Sequence, residues 1–479
     1  MMLRISLLVL LLGPLLACSA PVQKTVRPDQ LDFPALEFDV PAIEQTRLSN
    51  GIRVYLLEDQ ELPLVEVTAM IGAGSISDPV ELDGRGELFA GLLQDGGAGE
   101  RGPKELEDYL EGLAIDFGVA TDTYMTTIDL SLPKEDVAAG LRILDDVLRR
   151  PRFDAKRLEL LRRQMLENIR RRDDNPGSIA SRVLNETIYA DHPFGRTSTV
   201  ESVSAITRDD LRTFHRRHFT PDNLWLAISG DFDRESMLAE LEKLFVAWQP
   251  ADHLGQPLPM IRPGLEPGIR VFEKDVSQTT IRLGHLGISK DNPDLHAIRV
   301  MNFILGGGGF NSRMLREIRS NRGLAYSVYS YFKIGRKLPG SFIAGSETKC
   351  ASTVEVVRLM LDEIERIRTG PVSAEELALA KESRINSFVF AFTDSHQVLT
   401  QQVRLDYFNY PEDYLKTYRD KIAALTREDI LRVAREYLKP DRLVIVLVGR
   451  SAEFGDGLDS LGRPVFPVPT EKTAAGIKE

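Results

Sequence analysis

The sequence predicts an α+β protein made of two tandem homologous domains, and three observations carry that prediction. The segment Ile206-Thr207-Arg208-Asp209-Asp210-Leu211 matches Leu425-Thr426-Arg427-Glu428-Asp429-Ile430. Both segments run on to Pro-Asp-x-Leu, at Pro221 and Pro440, and to Gly230 and Gly449, at a constant offset of 219 residues from Thr207 to Thr426. A repeat of that length is a duplicated domain. Apolar strand-like runs are mixed with amphipathic helical patterns, which defines the α+β class. Finally, 479 residues exceed what one core holds and suit two domains of ordinary size.

The elements follow in order. Arg4, the apolar run Ile5 to Leu12 and then Leu15-Leu16-Ala17-Cys18-Ser19 read as a cleaved signal, too short to span a bilayer comfortably. Leu-Leu-Ala-Cys resembles a bacterial lipobox, which makes residues 1–17 a lipoprotein signal peptide and Cys18 the lipidated first residue. Ser19 resembles the outer-membrane sorting pattern, so the expected address is the bacterial cell envelope, an outer-membrane lipoprotein facing the periplasm. The alternative is an ordinary signal peptide with an incidental Cys. Residues 18–36, with Pro21, Pro28 and Pro34, read as a tether.

The first domain is expected over 37–249. Its opening strand pair is Arg53 to Leu57 and Val65 to Ile71, followed by a helix and by the strand Thr126 to Leu132. Helices are predicted over Lys134 to Arg149 and Ala155 to Arg172, the latter with Leu158, Leu161, Met165 and Ile169 at helical spacing. A Thr207-capped helix and the apolar strand Leu224 to Ser229 close it. Residues 250–268, rich in Pro and Gly, mark a linker. The second domain, 269–466, repeats the plan with Arg270 to Glu273, Gln278 to Leu283, the Thr426-capped helix and Leu443 to Val448, leaving a polar tail over 467–479.

A net charge of -11 argues against nucleic acid as a partner, since phosphate neutralisation needs a basic face, and none is expected. With Cys18 acylated, Cys350 is the one remaining cysteine and reads as a small buried residue. His215 and His218, three apart on one helix, could pinch a metal, but Arg216 and Arg217 would repel it and the second copy has Ala434 and Tyr437 in their places. They are expected to be partly exposed helix residues. His192, His253, His285, His296 and His396 are scattered.

Two motifs carry chemistry. Residues 84–97 have the frame of an inverted zinc-peptidase helix, H-x-x-E-H, with Glu87, Ala90 and Gly91 at its three functional positions. Ala and Gly offer a metal no donor atom. The run Leu305-Gly306-Gly307-Gly308-Gly309-Phe310-Asn311-Ser312-Arg313-Met314-Leu315-Arg316-Glu317-Ile318-Arg319-Ser320-Asn321-Arg322-Gly323-Leu324-Ala325-Tyr326 is the second. It lacks the Gly-Lys-Ser/Thr of a nucleotide loop, and the glycines read as a flexible turn before a helix over Ser312 to Arg322.

That second run closely resembles the C-terminal-domain motif of the pitrilysin/insulinase family, in the branch of the mitochondrial processing peptidases. The resemblance extends to Asn50-Gly51-Ile52-Arg53-Val54-Tyr55, Gly72-Ala73-Gly74-Ser75, Arg172-Asp173-Asp174-Asn175-Pro176 and Pro221-Asp222-Asn223-Leu224, and so covers nearly all of the mature chain. It implies a mainly antiparallel sheet in each domain with helices mostly on one face. It also implies that Arg319 and Tyr326 project toward a scissile bond, that Gly307, Gly308 and Gly309 handle substrate, and that the third zinc ligand would stand at Asn168, or at Glu167 if the register slips by one. The expected function is that of the zinc-free subunit of a heterodimeric peptidase. No cofactor is expected on this chain. Zinc is expected in a partner with intact H-x-x-E-H, and a peptide is the expected substrate. The alternative is a non-catalytic scaffold or peptide-binding protein of the same fold.

Overall fold

The structure is a computed structural model that describes residues 43–250, 258–262, 264–392 and 394–469; the signal, Cys18 and the tether lie outside them. Two six-stranded sheets organise the chain. The first comprises β1 (Glu44–Arg47), β2 (Arg53–Glu58), β3 (Leu64–Ile71), β4 (Asp116–Thr121), β5 (Thr126–Pro133) and β6 (Leu224–Gly230), in the order β1-β2-β6-β3-β5-β4. The second comprises β7 (Gly268–Glu273), β8 (Gln278–Leu286), β9 (Ala325–Lys333), β10 (Ser341–Lys349), β11 (Val444–Gly449) and β12 (Val465–Pro467), in the order β12-β7-β11-β8-β10-β9. Four of five pairings in the first sheet and three of five in the second are antiparallel.

The two strands that open each half are not neighbours. β6 lies between β2 and β3, parallel to the former, and β11 lies between β7 and β8 in the same way. The reason is burial. All six residues of β11 are buried, so this strand takes a position where both edges are paired and both faces covered.

The principal helices of the first half are α1 (Arg85–Asp95), α2 (Val137–Arg149), α3 (Ala155–Arg170), α4 (Pro176–Tyr189), α5 (Arg208–His218) and α6 (Arg234–Phe245). In the second half they are α7 (Leu295–Asn302), α8 (Thr353–Thr369), α9 (Ala374–Val389), α10 (Ser395–Tyr407) and α11 (Arg427–Tyr437). The repeated cap recurs atom for atom. The Asp210 amide donates to Thr207 Oγ1 at 3.2 Å, the Asp429 amide to Thr426 Oγ1 at 3.2 Å, and each Asp carboxylate accepts from its threonine's amide. No described helix is long and apolar enough to cross a membrane.

Most helices pack on one face of their own sheet, around the two large cores. The remaining face is covered by exchange. Helix α4 of the first half lays Ile179, Val183, Leu184 and Ile188 on Phe272, Ile343, Val444 and Val446 of the second sheet. Helix α10 of the second half returns Leu399 and Val403 to Tyr55, Met70 and Ala227 of the first. Each fully buried aliphatic side chain is worth about 1.5–3 kcal/mol, so separating the halves would expose both sheets at a cost neither half meets alone.

Three local expectations need correction. The helix over Ser312 to Arg322 is one α turn, Arg313–Leu315, followed by a π-helical stretch, Arg316–Asn321. The histidines of α5 are not partly exposed alike. His218 is buried, while His215 sits half-buried among Phe89, Phe153 and Phe219, bonded to the Leu148 carbonyl, and burial lowers its pKa to about 4. The glycines of 306–309 form no slack turn, as described below. Cys350 is buried as expected.

Candidate functional site

Helix α1 begins at Gly84, whose φ of +101° no side-chain-bearing residue adopts without strain. Asp78 fixes its first turn, accepting from the Gly86 amide at 3.0 Å and from Arg85 Nε at 3.1 Å. Desolvation raises this carboxyl to about 6 against the opposing pull of those partners. Arg85 in turn lies over the Phe214 ring at 4.5 Å.

Two of the three positions of the zinc frame, Ala90 and Gly91, have become packing positions. Ala90 is buried, and a Cβ at Gly91 would come within 3.1 Å of Leu161 Cδ1 on α3. Glu87 is solvent-exposed, and partial desolvation by its surroundings raises its carboxyl pKa. On α3, Leu161 and Met165 are the residues nearest Gly91 and Gly84. Asn168 continues that stripe at helical spacing. Glu167 is turned to Arg171, at 2.7 Å, and Arg170, at 3.7 Å. Among the described residues no three His, Cys, Asp or Glu side chains gather. The donor set does not fit zinc.

The second motif is a built cluster. Arg319 comes from the π-helical stretch, which Gly323 ends with a φ of +65°. Tyr326 stands near the start of the edge strand β9, 80% exposed. The Arg319 guanidinium carbon lies 4.4 Å from the Tyr326 ring centroid and 4.6 Å from that of Phe310. Phe310 is itself 66% exposed. Two rings therefore flank the guanidinium, a planar group that carries five N–H donors. Such a plane of donors beside a phenol hydroxyl suits a carbonyl oxygen that gains negative charge.

The glycines position this cluster by close approach. A Cβ on Gly306 would fall 2.5 Å from Ser330 Oγ, one on Gly307 2.6 Å from Asn302 Nδ2, and one on Gly308 2.7 Å from the Phe303 carbonyl oxygen. Only the bare backbone can lie this near Ser330 of β9 and the preceding turn at Asn302 and Phe303. Asn302 and Ser330 lock the contact with mutual hydrogen bonds of 3.0 and 2.9 Å. Gly309, at φ +58°, then turns the chain into Phe310.

Downstream, Arg313 is buried and grips Glu376 at the start of α9 with two bonds of 2.7 and 2.6 Å. This pairing holds the Glu376 carboxyl down to about 2. It pins the base of the segment that presents Arg319. Phe310 and the Arg313–Glu376 anchor were missed by reasoning from sequence. An aromatic residue directly after four glycines was the available signal for the first. Nothing local marked the second, whose partners stand 63 residues apart.

The structure thus brings together Arg319, Tyr326 and the glycine run. The zinc-frame positions stand apart on α1, which packs against β4 and α3.

Residues 53–200 match the family model described as Insulinase (Peptidase family M16), and residues 205–384 match the model described as Peptidase M16 inactive domain. An uncharacterized zinc protease of Streptomyces coelicolor is 24% identical over 413 residues, 84% of this chain and 88% of that one. A Helicobacter pylori protein named non-peptidase homolog YmxG is 27% identical over 386 residues, 79% of this chain and 87% of that one. Among solved structures, a peptidase M16 inactive domain from Pseudomonas fluorescens superposes with a TM-score of 0.77 at 27% identity, over 85% of this chain and 98% of its own. The periplasmic protease PqqL of Escherichia coli shares the fold, with a TM-score of 0.72 at 16% identity, over 86% of this chain and 46% of its own.

Proposed function

The chain belongs to the insulinase family, peptidase family M16, and from that premise we propose that it is the zinc-free subunit of a two-chain peptidase. One observation carries the reading. The Arg319–Tyr326 pair is kept, stacked and open to solvent, while the helix that would bind zinc carries Ala90 and Gly91. A family member with intact H-x-x-E-H supplies the zinc and the general base. This chain supplies half of the substrate chamber and two donors for a peptide carbonyl. A lipid on Cys18 holds the pair at the periplasmic face of the outer membrane.

Capture of the tagged chain from native membranes tests this. The expected result is a co-purifying family member with one zinc per pair, and peptide hydrolysis by the pair but not by this chain alone. A chain that comes out alone, or with one equivalent of zinc of its own, overturns it. The second reading, a non-catalytic scaffold, is favoured by the name of the Helicobacter pylori relative. It predicts a pair whose turnover is indifferent to Arg319 and Tyr326.

A further inference from the structure

A cavity of about 520 Å³ lies between the two halves, away from the Arg319 cluster. It touches β9 only at Lys333, the strand's far end, seven residues or roughly 23 Å from Tyr326. We propose that this cavity is a binding site for a small aromatic carboxylate. The proposal is independent of the peptidase reading.

Its walls come from both halves. Tyr124, Tyr189 and Phe194 of the first half and Phe408 of the second bring rings together, with centroids of Tyr124 and Phe194 6.2 Å apart, Tyr124 and Phe408 5.7 Å, and Tyr189 and Phe194 5.2 Å, all edge-on. These rings pack against one another and give the cage an apolar wall on which a flat body can lie. Burial raises both phenols, Tyr189 to about 12, so the cage carries no charge of its own at neutral pH.

Charge enters from the rim. Lys333, Arg336 and Arg404 face the cavity against a single carboxylate, Asp122. That carboxylate pairs with Arg404 across 3.8 Å, a long contact that leaves guanidinium donors to spare. Arg336 spends one N–H on the Tyr410 hydroxyl at 2.8 Å. A formal excess of two positive charges beside an aromatic cage selects an anionic head on an aromatic body, and the volume lies within the about 300–1,000 Å³ of small-molecule sites. The three cations and Phe408 belong to one half while Asp122, Tyr124 and Tyr189 belong to the other, so a bound ligand touches both halves at once.

Calorimetric titration of the full chain with N-acetyltryptophan and with its uncharged amide tests this. The carboxylate should bind saturably at one site, and the amide roughly tenfold more weakly, the loss of a hydrogen-bonded charge. Arg336→Gln with Arg404→Gln should erase the difference between the two probes. Lys333→Gln, at an exposed strand end, should reduce it and keeps the test open should the double variant not fold. Asn185→Phe, which fills the cavity from its wall, should abolish both bindings with thermal stability kept. Equal affinity for the two probes, no saturable binding of either, or carboxylate binding unmoved by these variants overturns the proposal.

Discussion

Arg319 lies against the ring of Tyr326 at 4.4 Å, although the two stand seven positions apart in the chain, with the end of a π-helical stretch and the left-handed Gly323 between them. The contact restrains a flexible cationic side chain near the surface. The Phe310 ring, at 4.6 Å from the same guanidinium, is its second aromatic neighbour. Phe310→Leu should therefore lower turnover by the assembled peptidase roughly two- to fivefold, the worth of an exposed cation–π contact. Thermal stability should hardly move, since the ring is mostly exposed. Unchanged turnover would show that Tyr326 alone positions the guanidinium.

The Arg313–Glu376 pair should make the cluster acid-sensitive. The Glu376 carboxyl is held down to about 2, from an ordinary 4.5, chiefly by its bonds to Arg313. Its stabilisation is fully present above about 4.5 and is lost as pH falls toward about 2. Glu376→Gln should cost on the order of 3 kcal/mol near neutrality, because it leaves a buried guanidinium without its charge partner. In urea unfolding at a series of pH values, the gap between wild type and variant should close through that acid window. A gap that stays constant with pH would refute the assignment.

The zinc frame is open to restoration. Glu87→His, Ala90→Glu and Gly91→His together should give weak zinc retention, because Glu167 is turned toward Arg170 and Arg171. Adding Asn168→Glu, on the stripe with Leu161 and Met165, should bring retention to one equivalent after dialysis, and Leu161→Ala should help by relieving the 3.1 Å approach at residue 91. Equal zinc in the variants with and without Asn168→Glu would mean that Glu167 is the ligand position after all.

Cys18→Ser tests the address. Removing the acyl chains should move the protein from the membrane fraction to the soluble fraction, or leave the signal uncleaved. Unaltered fractionation with the outer membrane would mean that the cysteine is incidental.

Much of this was legible in the sequence. The 219-residue offset announced two copies, and the sheets share one strand order from β2 to β4 and from β7 to β9. Strand and helix limits read from apolar periodicity fell within a few residues for β3, β5 and α3. Long-range pairing was not legible. Nothing local says that β6 inserts between β2 and β3, or that α4 and α10 cross to the opposite sheets, since these choices are made by which apolar faces remain uncovered. Helix α6 was missed, although Asp233 caps it and Met237, Leu241 and Phe245 are buried at helical spacing. At the site, Arg319 and Tyr326 were singled out by a motif and Phe310 was marked only by its place after four glycines, whereas the Arg313–Glu376 pairing becomes visible only in three dimensions.

The most direct test of the central claim is steady-state peptide turnover by the reconstituted pair carrying Tyr326→Phe or Arg319→Ala in this chain, with zinc content and assembly measured on the same samples. The Phe change keeps the ring that stacks on Arg319 and removes only the hydroxyl. Turnover should fall on the order of a hundredfold in either variant, the usual cost of one oxyanion donor, with one zinc per pair and the assembly intact. Turnover equal to wild type in both variants would contradict the account and reduce this chain to a scaffold.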